Sequence, residues 1–106
     1  MLVPARGRLL DSSLAPVKGE RVERVVQVGE TLIEQILSGE LDKVLEFDQD
    51  LDEWVVVLRG AAVLEVDGER LSLEQGDWVL LPRRTRHRLV QTARGTSWLA
   101  VHLPGE

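Results

Sequence analysis

The chain contains no cysteine, which excludes disulfide bridges, thiolate zinc sites and cysteine nucleophiles. It also lacks any apolar run near the ~18 residues needed to cross a membrane. Met1-Leu2-Val3-Pro4-Ala5-Arg6 has no apolar signal-peptide core, so the expected location is the cytoplasm, with no membrane partner. Basic residues are in deficit, 13 Lys and Arg against 18 Asp and Glu, for a net charge of −5. Neutralising phosphates needs a basic surface, and no nucleic-acid partner is expected. Ser12, Ser13, Ser38, Ser72 and Ser97 sit in no nucleophile elbow. Phosphate loops, dinucleotide fingerprints, internal repeats and linkers are absent. What remains is 106 residues, 43% of them hydrophobic, enough for one soluble domain with one core.

Residues 53–87 carry the clearest pattern. Glu53-Trp54-Val55-Val56-Val57-Leu58-Arg59-Gly60 is short, β-branched and closed by glycine, which predicts a buried strand. Two further strands, 61–66 and 69–73, flank Asp67-Gly68, a pair suited to a type I′ hairpin because both central positions need φ > 0. That turn fixes the register: Ala62 opposite Leu73 and Leu64 opposite Leu71 on one face, Val63 opposite Ser72 and Glu65 opposite Arg70 on the other. After Glu74-Gln75-Gly76-Asp77, the run Trp78-Val79-Leu80-Leu81 is stopped by Pro82, which cannot donate to a ladder.

The remaining segments extend the β reading. Alternation predicts strands over 22–28, 42–47, 87–91 and 97–103, with His87, Leu89 and Gln91 sharing one face and Trp98, Ala100 and His102 another. Residues 30–37 are ambiguous, since Leu32, Ile33, Ile36 and Leu37 fit helical spacing. Residues 1–20, broken by Pro4, Gly7, Pro16 and Gly19, read as an N-terminal arm preceding a domain over 21–106.

The order of these residues resembles the cupin family. Its second motif, G-x5-P-x-G-x2-H-x3-N, is reproduced by Gly76, Pro82, Arg84 in the glycine place, His87, and Gln91 in the asparagine place. Its first motif ends E-x6-G, matched by Glu53 and Gly60, but the preceding H-x-H pair falls among Glu46, Phe47, Asp48 and Gln49, none of them histidine. The likeness spans roughly residues 40 to 103. It implies an all-β fold, the double-stranded β-helix or jelly-roll barrel, usually a homodimer, and it assigns 30–37 to the sheet. The arm then either crosses a neighbouring subunit or straps its own domain.

In cupins the residues matching His87 and Glu53 point into the barrel and bind a divalent metal, usually with two more histidines. Iron, manganese, nickel or zinc suits such donors. Here Gln49 could take one vacant place, and His102 is the only other imidazole, so that His87, His102 and Glu53 would form a facial triad. The alternative is structural, a buried His87 bonded to Glu53. Two charge runs add a second constellation: Glu46, Asp48, Asp50, Asp52 and Glu53 against Arg83, Arg84, Arg86, Arg88 and Arg94. Either they pair at the barrel mouth, or arginines such as Arg84 and Arg88, with Gln91 nearby, recognise a small anion by forked hydrogen bonds. A tryptophan such as Trp98 would wall the pocket, whereas Trp54, pointing away from Glu53, suits a dimer interface. Three functions follow: small-molecule binding with a degenerate or absent metal site, a metal-dependent oxygenase or isomerase, or a structural dimer with a filled barrel.

Overall fold

A computed structural model describes residues 4–104. Met1 to Val3 of the expected arm, and Gly105 and Glu106 at the end of the expected domain, lie outside the described residues. Among the described residues nine strands form: β1 (Glu20–Val28), β2 (Thr31–Ser38), β3 (Leu45–Phe47), β4 (Asp52–Arg59), β5 (Ala61–Val66), β6 (Glu69–Glu74), β7 (Trp78–Leu81), β8 (His87–Thr92) and β9 (Thr96–Leu103). They make two antiparallel sheets, in the orders β1-β2-β9-β4-β7 and β3-β8-β5-β6. This is the all-β jelly roll expected. No helix among the described residues is long and apolar enough to cross a membrane.

The core lies between the sheets. Val55 and Val57 of β4 and Trp98 and Ala100 of β9 meet Ala62 and Leu64 of β5 and Leu89 of β8. Alternation along each strand sends these side chains inward. The hairpin register is the one the turn dictates, Ala62↔Leu73 through Glu65↔Arg70, and Asp67 and Gly68 both have positive φ, 49° and 78°. Arg84, in the glycine place of the motif, has φ 59°; the left-handed backbone that glycine would adopt freely is kept although the residue changed.

Of residues 30–37, all but Glu30, which belongs to the β1–β2 turn, are strand. As β2, the segment lies between β1 and β9 and pairs along its length with both, Ile36 opposite Val22 and Trp98. Two ladders of backbone hydrogen bonds override the helical spacing, because in a central strand tertiary pairing outweighs intrinsic preference. The strand expected over 42–47 shrinks to Leu45–Phe47. Its pairing with β8 stops at Leu45↔Leu89, beside a bulge at Val90, and Asp42, Lys43 and Val44 are exposed.

That bulge corrects the face expected of Gln91. Register against β5 jumps from Leu64↔Leu89 to Val63↔Gln91, leaving Val90 without an opposite residue. An extra residue reverses alternation beyond it, so Thr92 is buried and Gln91 exposed. The Thr92 hydroxyl donates to the Gly39 carbonyl at 2.5 Å.

Residues 10–19 bond to their own chain. The Leu10 N–H donates to Gln35 Oε1 at 2.8 Å, and Gln35 Nε2 donates to the Leu10 carbonyl at 2.9 Å and to Ser97 Oγ at 3.1 Å. This satisfies a glutamine that is only 2% exposed. Further on, the Glu40 N–H donates to the Val17 carbonyl and the Gly39 N–H to the Gly19 carbonyl.

Candidate functional site

A cavity of about 170 Å³ opens between the two sheets, lined by side chains from β1, β2, β3, β4, β5, β7, β8 and β9 and by Gln49. Much of the lining is apolar, with Ile36, Val55, Leu81 and Trp98 from one sheet and Leu64 and Leu89 from the other. Six polar side chains reach the same space, namely Glu20, Glu34, Gln49, Glu53, His87 and His102.

Glu53 and His87 meet as expected. They come from opposite sheets, and Glu53 Oε1 lies 3.9 Å from His87 Nε2, with both side chains buried. Glu53 Oε2 lies 3.9 Å from His102 Nε2 on the neighbouring strand β9. His102 Nε2 is held more closely by Glu34 Oε1, at 2.8 Å. His87 Nδ1 stands 3.2 Å from the Thr85 carbonyl. A carbonyl only accepts, so the ring proton of that bond is on Nδ1, and in the neutral ring Nε2 presents a lone pair toward Glu53. Phe47, opposite His87 in the ladder, stacks on the imidazole with ring centroids 5.2 Å apart and planes 15° from parallel.

Burial pushes the Glu53 carboxyl above the usual carboxylate range. The His102 and His87 imidazoles oppose that rise, Glu34 adds to it, and a hydrogen bond from Gln49 lowers it. Glu20 is likewise raised by burial, opposed by the Ser38 hydroxyl, which donates to its Oε2 at 2.7 Å. Trp98 Nε1 donates to the same hydroxyl at 3.1 Å. The polar groups thus lie at both ends of the slot, since Ser38, Ile36 and Glu34 follow one another on the inner face of β2.

Of the expected ligand contacts, Trp98 lines the cavity and three do not. Arg84 is exposed, and its contribution is the backbone N–H it donates to the Gln49 carbonyl at 2.7 Å. Arg88, next to inward His87, points outward and pairs with Glu65 at 3.2 Å and Glu46 at 3.6 Å. Gln91 is turned out by the bulge. The two charge runs meet at Arg88 with Glu46 and at Arg83 with Asp52, the latter through a contact at 4.0 Å and an Arg83 N–H to Asp52 Oδ1 bond at 2.8 Å. Glu34 and Glu20 were missed. Their signal was present in the alternation with Ile36 and Val22, but it is usable only once β1 and β2 are known to be paired strands.

The donors present bear on the metal that the resemblance implies. Phe47 and Gln49, two apart and both lining the cavity, stand where an H-x-H pair would stand. A phenyl ring offers no donor, an amide oxygen is a weak ligand for iron, nickel or zinc, and His102 is engaged by Glu34. Among the described residues no group of three or more His, Asp or Glu side chains is placed to hold a metal ion. The donor set does not fit that cofactor.

The Cupin domain family model matches residues 32–102. A solved structure from Ralstonia eutropha JMP134, provisionally assigned as a mannose-6-phosphate isomerase, is similar at 32% identity and TM-score 0.80, over 96% of this chain and 100% of that one. A protein of unknown function from Rhizobium leguminosarum is similar at 21% identity and TM-score 0.77, over 98% and 100% of the two chains. A cupin superfamily protein from Desulfitobacterium hafniense DCB-2 is similar at 19% and 0.74, over 97% and 95%. The last two show the fold alone. No curated protein matches the sequence.

Proposed function

The chain belongs to the cupin family, and we propose that it binds a small organic molecule in the barrel without a metal of the family's usual kind. The observation that carries this reading is the cavity itself. Its volume of about 170 Å³ exceeds the ~150 Å³ engineered apolar cavity that takes up benzene, so a compound of roughly six to ten non-hydrogen atoms fits. An apolar wall with a few convergent polar groups is the usual composition of a small-molecule site. A structural barrel would instead be filled by its own side chains. The phosphosugar named for the Ralstonia protein is not matched by the lining, because among the described residues around the cavity none is lysine or arginine.

Neutral benzyl alcohol tests the cavity reading without presupposing the ligand's charge. In nitrogen-15 correlation spectra it should shift the Trp98 indole N–H and the backbone signals of His87 and Val55. Leu64→Trp, which fills the space, should abolish those shifts. Shifts confined to the outer faces, or unchanged by the filling substitution, would refute the reading.

A further inference from the structure

The cavity's polar groups are almost all acceptors, and this identifies the class of molecule that completes them. Gln49 Oε1 is buried with no hydrogen-bond partner. Beside it, Glu53 accepts a hydrogen bond from the Gln49 amide, and its nearest imidazole nitrogens stand 3.9 Å away, too far for hydrogen bonds. His87, its Nδ1 proton directed to the Thr85 carbonyl, presents the Nε2 lone pair. Glu20 adds a carboxylate at the far end of the slot, held by one hydroxyl. Three acceptors grouped at Gln49, Glu53 and His87 call for a ligand that brings donors and positive charge.

We propose that this site, granted that the cavity binds a small molecule, takes a primary amine, with the ammonium group at Gln49, Glu53 and His87 and the carbon body against Ile36, Leu64 and Trp98. An ammonium has three donors and no acceptor, the complement of this patch. The carboxylates supply the charge assistance that makes such hydrogen bonds strong. Phe47 and Trp98 add aromatic surface to a site that attracts cations. An alcohol of the same size brings one donor and leaves two acceptors unmet. A carboxylic acid anion brings none and meets three carboxylates, Glu20, Glu34 and Glu53, among the lining residues.

The test is calorimetric titration of the full chain at pH 7.5 with benzylamine, benzyl alcohol and benzoate, which share a ring and differ in the group offered. Zinc ion is titrated separately. Benzylamine should bind about tenfold or more tighter than benzyl alcohol, the range of a charge-assisted hydrogen bond, and benzoate should bind weakest. Glu53→Gln and Gln49→Leu should each shrink the preference for benzylamine over benzyl alcohol toward parity; a preference that stays about tenfold in both would overturn the amine proposal. Two variants are named so that poor folding of one, visible in its melting curve, does not remove the test. Benzyl alcohol or benzoate binding as well as the amine would overturn the amine proposal and leave the cavity reading intact. Failure of all three compounds to bind would overturn both. Stoichiometric zinc binding that blocks benzylamine would assign the acceptors to a metal ion and overturn the amine proposal.

Discussion

Gly60 closes the strand that carries Glu53, and a methyl added there should cost more than one added at Gly68 in the β5–β6 turn. Its φ is +95°, and a Cβ placed there would lie 2.5 Å from Thr96 Oγ1 and 2.8 Å from Thr96 Cα. Gly68 is the control. Its φ is +78°, but a Cβ there meets nothing within 4 Å. Gly68→Ala therefore carries the left-handed penalty alone, roughly 1–2 kcal/mol, partly offset by ~0.4–1 kcal/mol of lost unfolded-chain freedom. Gly60→Ala carries the same terms plus an overlap with backbone. Thr96 cannot give way cheaply, since it is fully buried and its hydroxyl bonds to the Ala93 and Ala61 carbonyls. Forcing such an overlap costs roughly 1–3 kcal/mol, giving about 2–4 kcal/mol in all. With a urea m-value near 1.5 kcal/mol/M, typical of small domains, the Gly60→Ala midpoint should fall about 1 M further than that of Gly68→Ala. Equal midpoints for the two variants would show that the close approach of β4 to Thr96 is not what makes residue 60 glycine.

Two other outcomes follow from the site and the outer face. Burial raises Glu53 above its ordinary value of 4.5, so the native state favours the protonated carboxyl. The group's contribution to stability is then fully present below the unfolded pKa and is lost as pH rises through the folded one. Glu53→Gln should accordingly melt higher than wild type at pH 7, with the gap closing below about pH 4.5; a gap that widens on acidification would refute the assignment. On the outer face of the five-stranded sheet, Trp54 and Trp78 lie 6.3 Å apart, and Trp78 and Leu80 are 60% and 51% exposed. We propose that a second copy of the chain covers this apolar face, so that joint Trp78→Lys and Leu80→Lys should give a monomer by sedimentation velocity where wild type is a dimer. A monomeric wild type at ~100 µM, well above the Kd of a stable dimer, would sink the proposal.

The parts of this molecule that were legible in the sequence are those fixed by local rules. Asp67-Gly68 dictates a turn type, the turn dictates a register, and the register places Ala62 and Leu64 in the core without reference to the rest of the chain. His87 and Glu53 could be brought together because two motif spacings bracket them. What was not legible depended on partners distant in sequence. Residues 30–37 look helical until β1 and β9 are placed on either side, and without those neighbours Glu34 has no claim to the site. Gln91 was assigned inward by strict alternation, and a single unpaired residue, Val90, was enough to turn it out and bring Thr92 in.

The site keeps the family's backbone frame although its donors are not placed to hold a metal ion. Arg84 shows that the turn before His87 keeps a left-handed residue even where glycine is gone, and its N–H still fastens the Gln49 carbonyl. The backbone frame, His87 and Glu53 are therefore held by interactions that do not involve an ion. In place of the H-x-H pair, Phe47 packs face to face on His87 and Gln49 bonds to Glu53, each supporting a residue that a metal would otherwise orient. Ring stacking and an amide hydrogen bond can fix the positions of His87 and Glu53, but they do not supply positive charge to a buried carboxylate. A cationic ligand would, which is why the donor-poor, acid-lined cavity and the missing histidines belong to one explanation.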